Sequence, residues 1–433
     1  MPTRSSAGGG KAAAMVDLAR MLVAGGLSTD PLSRAPTIAD VRALAQRRLP
    51  RMAFDFVDGG AGAENTLRAN VSDLAAVTLR PRSLVDVTHT RLVTDVVGQS
   101  LPMPVVLAPC GLVRVVGGDG ELSAVRAAGQ AGVTYTISTA SSWSIEEIAA
   151  QASGPLWFQL YLWRSRDVIE TLVQRAQEAG CSALVLTVDV VVNGKRPRDH
   201  RNGMSIPPQI TVRNAAGAIR HPAWFASLLR GPPIGFRNLQ GIAEGSSAMS
   251  HQEYVNTELA NLSATWEDVA WLRRRWDGPL LVKGVTTVQD AESAAAAGAD
   301  GIFVSNHGGR QLDGVPSSIS ALPLIADAVG DRLDVILDGG IRSGGDVVKA
   351  LAMGAKATAV GRSWLWGAAA AGERGVQHVL SLYRSEIEET LMLLGCVDVA
   401  ALDRSWVNYP SAWDNLGSMS RDNPGGIYRR QDA

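Results

Sequence analysis

The segment Asp334-Val335-Ile336-Leu337-Asp338-Gly339-Gly340-Ile341-Arg342 decides the fold when read with its sequel, Ala357-Thr358-Ala359-Val360-Gly361-Arg362. Each begins as a short, continuous run of apolar and β-branched residues and ends in glycine and arginine. Between them, residues 345–353 repeat apolar side chains at helical spacing. A strand buried on both faces reads as an unbroken apolar run, and such strands joined through helices pair in parallel. The segment is therefore one β–α–β unit of a parallel sheet.

Working outward, the same rhythm extends back to residue 104. Strand-like runs occur at 105–109, 134–138, 156–161, 183–189, 280–284, 301–305, 334–338 and 357–361, which makes eight candidate strands. Helical patterns lie between them at 121–132, 145–151, 168–179, 287–297, 319–329 and 345–353, and 376–394 closes the series. Eight β–α units predict an α/β protein of the (β/α)8 TIM-barrel class rather than an open doubly wound sheet. Only the interval between strands four and five breaks the spacing. It holds an insertion, residues 201–262, on the C-terminal face where barrel active sites sit.

The boundaries follow. Residues 1–35 are rich in Gly, Ala and Ser and read as a flexible tail; Asp17 and Arg20 interrupt its apolar stretch, and no clean cleavage site follows. The body spans 36–404, with a helical lead-in over 36–103. There Thr37 and Asp40 form a helix-start pattern, Leu49-Pro50 ends the first helix, and 51–58 forms a second before the glycines at 59–62. Residues 405–433 read as a polar C-terminal tail. The chain holds 46% hydrophobic and 19% charged residues, ample for one core. Its 41 Lys and Arg against 42 Asp and Glu give a net charge of −1, which argues against a nucleic-acid partner. Cys110, Cys181 and Cys396 have neither a disulfide framework nor metal-ligand spacing, so we expect no metal site and a reducing, cytoplasmic compartment. No apolar run is long enough to cross a bilayer.

Polar residues at barrel strand ends are the candidates for chemistry. Gly339-Gly340 with Arg342, and Gly361 with Arg362, end strands seven and eight, where this fold cradles phosphate. Lys283 lies in an apolar strand, so it must meet an anion, a Schiff-base partner or a cofactor unless it reaches solvent. His307 lies in the cluster Ser305-Asn306-His307-Gly308-Gly309-Arg310, with Asp189 ending strand four. A carboxylate beside imidazole raises its basicity, and Arg196 and Arg310 could clamp a carboxylate. The set suggests proton abstraction from a small hydroxy acid beside a phosphorylated cofactor.

The run Ser305-Asn306-His307-Gly308-Gly309-Arg310-Gln311 resembles the active-site signature of the FMN-dependent α-hydroxy-acid dehydrogenases and oxidases. Similarity extends over about 37–400 and includes Leu79-Arg80-Pro81-Arg82, Trp157-Phe158-Gln159-Leu160-Tyr161 and Leu186-Thr187-Val188-Asp189. The resemblance implies FMN contacts from Ala108, Pro109, Cys110, Ser138, Gln159, Thr187, Ser305 and Asp338. It implies Lys283 at the flavin edge and the phosphate held by Gly339, Gly340, Arg342, Gly361 and Arg362. It makes His307 the base, Asp189 its partner and Tyr161 a hydrogen-bonding group for the substrate hydroxyl. Arg196 and Arg310 would bind the substrate carboxylate.

Two departures bear on substrate. Phe56 stands where the family usually has tyrosine. Ala140 stands where short-chain glycolate oxidases carry tryptophan, which leaves room for a ring. Mandelate dehydrogenases resemble the chain here and at Val192-Asn193-Gly194-Lys195-Arg196. Lactate dehydrogenases resemble it at Trp276-Asp277-Gly278-Pro279 and Gln311-Leu312-Asp313-Gly314-Val315. The expected substrate is an aromatic (S)-2-hydroxy acid such as mandelate. The alternatives are L-lactate, an oxygen-using (hydroxy)mandelate oxidase and a non-catalytic FMN-binding barrel. Gly111, where family oxidases often have alanine, leans towards a dehydrogenase.

Residues 201–243 carry five arginines and no acidic residue, with Trp224, Phe225, Leu228 and Leu229 expected on one helix face. A cationic amphipathic segment suits an interfacial membrane anchor, and membrane-bound members of the family carry a comparable insertion. A lid or a subunit contact is the other reading of the same face. We expect 205–243 to meet the inner face of the cell membrane, a quinone to accept the electrons, and the chain to form a homo-oligomer, a tetramer by resemblance.

Overall fold

A computed structural model describes residues 30–204, 220–240 and 261–415. Its centre is a closed barrel of eight parallel strands. These are β1 (Val105–Leu107), β2 (Tyr135–Ser138), β3 (Leu156–Tyr161), β4 (Ala183–Thr187), β5 (Leu280–Val285), β6 (Gly301–Val304), β7 (Asp334–Asp338) and β8 (Ala357–Val360). β8 pairs with β1 at Val360 and Leu107, which closes the ring. All eight fall within the runs anticipated from sequence, save that β5 continues one residue further.

Strand parity sorts the side chains. Val106, Trp157, Val185, Leu281, Phe303, Ile336 and Ala359 pack together inside the barrel. Their chain neighbours Leu107, Phe158, Leu186, Val282, Val304 and Leu337 belong to the larger core under the helices. Continuing each strand in steps of two residues turns Ser138, Gln159, Tyr161, Thr187, Lys283, Ser305 and Asp338 inward at its C-terminal end. The antiparallel pair Thr94–Val96 and Gln99–Leu101 adds Val96 and Leu101 to the interior cluster at the opposite end.

The lead-in is helical, as expected. Ile38–Arg48 starts with a reciprocal cap between Thr37 and Asp40, and Arg51–Asp58 follows. A further helix, Asn65–Ala76, was not anticipated, nor was Arg362–Ala371. The latter reads in sequence as alanine-rich and Trp-rich without a capping signal, because its N-terminus opens directly from β8.

Both tail assignments need correction where residues are described. Residues 30–35 pack on the body: Leu32 and Ala35 are buried, and His378 bonds the Ala35 carbonyl. Residues 405–415 are folded as well. Val407–Asn408 pairs with Thr78–Leu79, Trp406 and Trp413 are buried, and the Arg82 guanidinium lies 3.5 Å from the Trp406 ring centroid. Spaced tryptophans in a polar context hid this contact. Residues 1–29 and 416–433 lie outside the described residues.

The insertion is described over 201–204 and 220–240, and from 261; Arg213 lies outside the described residues. Its helix Pro222–Leu228 does not present one apolar face. Trp224 turns inward, packs against the core and donates to the Val115 carbonyl, and Leu228 is half-buried. Phe225 and Leu229, one position further on, are 45% and 72% exposed. Among the described residues no helix is long and apolar enough to cross a membrane.

Candidate active site

The polar strand ends converge on one cavity at the C-terminal mouth of the barrel. Its lining includes Ala108, Pro109, Cys110, Ser138, Ala140, Gln159, Tyr161, Thr187, Arg196, Lys283, His307, Arg310, Gly339, Gly340, Arg342, Gly361, Arg362 and Phe56. Asp338 also lines it; Asp189 and Ser305 stand behind it, bonded to His307 and Lys283. The structure therefore brings together the residues singled out in the sequence.

His307 is held by its backbone as well as its ring. Its φ of 58° is in the left-handed region, rare for a residue with a side chain. Its N–H donates to Ser305 Oγ at 3.1 Å, and Nδ1 lies 3.0 Å from Asp189 Oδ1. Burial works against the Asp189 carboxylate. The charge and hydrogen bond of His307, with the charge of Lys283, outweigh it and hold its pKa below the ordinary value. An ionised Asp189 only accepts, so Nδ1 carries the hydrogen of the pair, and in the neutral ring Nε2 is the proton acceptor. Gly284 makes this approach possible: it has φ 109°, and a Cβ there would stand 2.7 Å from Asp189 Cβ.

Lys283 is buried and does not stand alone. Its Nζ lies 2.7 Å from Asp338 Oδ2 and 2.8 Å from Ser305 Oγ. Burial lowers its affinity for a proton, but Asp338 and Asp189 more than compensate, and it stays charged. The two arginines of the substrate side differ. Arg310 is half-buried and donates to the carbonyls of Phe56 and Gly59 at 2.8 and 2.9 Å. Its pKa is pushed well down by burial and by the like charges of Arg196 and Arg362. Arg196 pairs with Asp199 at 3.3 Å. Both guanidiniums lie within 6 Å of the Phe56 ring, at 5.9 Å for Arg196 and 5.4 Å for Arg310. Two concentrated like charges around an apolar ring call for an anion between them. Tyr161 is half-buried, the desolvation of its hydroxyl raises its pKa, and that hydroxyl remains a donor. Cys110 is likewise pushed up to about 12 by burial and stays a neutral thiol.

The remaining polar groups test whether FMN fits. Gln159 Nε2, Thr187 Oγ1 and Asp338 Oδ1 are buried without a protein partner. Groups of this kind cost free energy unless a ligand or water satisfies them. Arg362 directs its N–H groups to the carbonyls of Asp58, Gly308 and Gly59, and Arg342 to that of Ile341, rather than to a carboxylate. Burial lowers both, Arg362 to about 10. Arg362 also opens the helix Arg362–Ala371, whose N-terminal N–H groups favour an anion. A buried Arg362 at a helix N-terminus and a half-buried Arg342 beside Gly339 and Gly340 fit a phosphate. Unpaired amide and hydroxyl groups deeper in the barrel fit a polar ring system.

Several supports escaped the sequence reading. Asn70, on the helix Asn65–Ala76, exchanges two 2.8 Å hydrogen bonds with Asn306, and Asn306 Oδ1 accepts from the Gly309 N–H. This pair shapes the turn that carries His307. Gln311 donates to the carbonyls of Asp189 and Val192 and accepts from the Gly194 N–H, tying the two loops that bear Asp189, Arg196 and Arg310. Leu112, Val116, Trp163 and Phe236 add apolar lining. Spacing along the chain marks none of these, because each acts across the fold.

A model of the FMN-dependent dehydrogenase family matches residues 45–409. An L-lactate dehydrogenase of Xanthomonas euvesicatoria pv. vesicatoria (strain 85-10) is 45% identical over 367 residues, covering 84% of this chain and 94% of its own. One from Alcaligenes faecalis is 44% identical over 366 residues, covering 84% and 96%. Among solved structures, a monotopic membrane protein, (S)-mandelate dehydrogenase, superposes with a TM-score of 0.81 at 38% identity, covering 86% of this chain and 99% of that one. A mandelate oxidase gives 0.73 at 40% identity, covering 86% and 98%.

Proposed function

The chain belongs to the FMN-dependent dehydrogenase family, and from that premise we propose that it oxidises an aromatic (S)-2-hydroxy acid, mandelate-like, with a quinone as the final electron acceptor. That it is an FMN-dependent 2-hydroxy-acid dehydrogenase follows from the family and its relatives. The finer reading rests on one observation. The cavity that holds His307 and both arginines is also lined by Leu112, Val116, Ala140, Trp163 and Phe236, an apolar set suited to a ring.

Arg196 and Arg310 bind the substrate carboxylate by charge-assisted hydrogen bonds. Tyr161 donates to the substrate hydroxyl. His307 Nε2 takes a proton from the bound acid, and Asp189 stabilises the imidazolium that results. Conversion of the alcohol to the 2-oxo acid releases two electrons and two protons. Bound FMN supplies the two-electron acceptor. Gln159, Thr187 and Ser138 would hold its ring system, with Ser305 bonded to Lys283, and Asp338 and Asp189 keeping Lys283 charged at its edge. Ala108, Pro109 and Cys110 form the contact turn, and Gly339, Gly340, Arg342, Gly361 and Arg362 hold the phosphate. A quinone takes the electrons onward.

The exposed Phe225 and Leu229, flanked by exposed Arg220 and Arg230, support peripheral membrane contact. The adjoining parts of the anchor segment, 205–219 and 241–243, lie outside the described residues. A homotetramer is the assembly we propose. Exposed Leu84, Leu393 and Val397 lie on adjoining segments, joined where the Arg82 N–H donates to the Leu394 carbonyl, and offer apolar surface for it.

Anaerobic flavin bleaching with glycolate, lactate, mandelate and 4-hydroxymandelate tests the reading. We expect mandelate to exceed lactate at least tenfold in specificity. The reverse order would establish the second reading, an L-lactate dehydrogenase, which the identity to L-lactate dehydrogenases favours. Stoichiometric peroxide in air would make it an oxidase, and no bleaching by any acid a binding protein.

A further inference from the structure

The return limb of the insertion reaches the catalytic cavity. Phe236 lines it, the Arg237 N–H donates to the Ser141 carbonyl at 3.0 Å, and Asn238 is fully buried. The Asn238 side chain makes three hydrogen bonds to the end of β2 and the loop that follows it. Its Oδ1 accepts from the Ile145 N–H at 2.8 Å, and its Nδ2 donates to the carbonyls of Ser138 and Thr139 at 3.1 and 3.3 Å. Arg175 fixes Asn238 from behind, donating to its carbonyl while paired with Glu146.

The loop so gripped carries two cavity residues. Ser138 Oγ donates to Gln159 Oε1 and accepts from the Ala140 N–H, and the Ala140 carbonyl accepts from the Leu112 N–H at 2.9 Å. Clearance here is small: a Cβ on Gly111 would stand 2.7 Å from Ala140 Cβ. A displacement of the loop by a few tenths of an ångström therefore changes both the room beside Ala140 and the turn at Gly111.

We infer that Asn238 is a positioning residue for substrate selectivity, and that the return limb of the insertion, with Phe236, is part of the substrate pocket. Only an amide fits the task. It offers one acceptor to an N–H and two donors to two carbonyls, whereas a carboxylate would set oxygen against oxygen. The outward side of the same insertion, Phe225 and Leu229, has no part in it. Removing 205–243 as a block would therefore disturb pocket and surface together. The inference rests on the reading of this cavity as the 2-hydroxy-acid site.

The test uses the full chain with FMN bound. Asn238→Asp and Phe236→Ala are compared with wild type and with the double replacement of Phe225 and Leu229 by Ser. Anaerobic flavin reduction by mandelate and by lactate gives a ratio of specificities, and flavin absorbance gives FMN content. We expect Asn238→Asp and Phe236→Ala each to change the ratio more than threefold with FMN retained, while the surface double variant keeps it. A ratio within threefold of wild type in Asn238→Asp overturns the inference, even if stability or FMN content falls. Should that variant not fold, the same result in Phe236→Ala overturns it. A wild-type chain bleached by no 2-hydroxy acid overturns the functional reading, and the inference with it.

Discussion

Nδ1 of His307 lies 3.0 Å from Oδ1 of Asp189, across the gap between the ends of β6 and β4. The contact orients the imidazole and leaves Nε2 to receive the proton. We expect His307→Gln to retain FMN and to slow flavin reduction by roughly 10²–10⁴-fold, the usual share of a general base. Asp189→Asn removes the charge that stabilises the imidazolium and should slow reduction in the same sense. Stopped-flow bleaching measures both; unimpaired reduction in His307→Gln would remove it from the role of base.

Phe56 places an apolar ring between two guanidiniums where the family usually has a tyrosine. Phe56→Tyr adds a donor on the carboxylate side of the cavity. A hydrogen bond to a charged group contributes about 1.5–3 kcal/mol, so KM for lactate should fall roughly tenfold or more while the limiting rate changes little. An unchanged KM would show that the phenolic hydroxyl does not reach the substrate.

Gly111 and Ala140 are in mutual steric contact. Gly111→Ala brings Cβ against Cβ at 2.7 Å with no flexible atom to yield. We expect a loss of about 1–3 kcal/mol, the usual cost of overpacking. Adding Ala140→Gly should recover most of it. Thermal unfolding of the two single variants and the double variant measures the coupling directly. Additive effects would mean that the two side chains do not meet.

Glu121 is fully buried, and its Oε1 accepts from the backbone N–H groups of Val113 and Ser142. Burial outweighs these bonds and raises its pKa from 4.5 to about 7. The folded state therefore holds the proton more tightly than the unfolded chain. Its contribution to stability is greatest below about 4.5, declines as pH rises, and levels off above about 7. The span corresponds to roughly 3 kcal/mol. Glu121→Gln keeps an acceptor for both N–H groups and cannot ionise. The difference in unfolding free energy between wild type and variant should thus grow across that window, and denaturant titrations at pH 5 and 7.5 measure it. A difference independent of pH would place the Glu121 pKa outside the window.

The sequence by itself determined the barrel and most of its chemistry. Strands buried on both faces must be continuous apolar runs, and the mouth residues fall at their ends by the two-residue alternation of a strand. Lys283, His307 and the two phosphate-side arginines were legible as polar residues at or just past strand ends, and Gln159, Thr187 and Asp338 as cofactor contacts through the resemblance to the FMN-dependent family. Tertiary structure alone decided what reaches the mouth from elsewhere. Asn70 comes from the lead-in, Phe236 and Asn238 from the insertion, and Lys283 finds Asp338 across the barrel. It also decided that Trp224 and Leu228 face the body while Phe225 and Leu229 face outward, and that 405–415 is part of the fold. The physical reason is the same in each case. Periodicity records whether a side chain is buried, but hydrogen bonds and ring contacts between distant segments depend on distances that only folding creates.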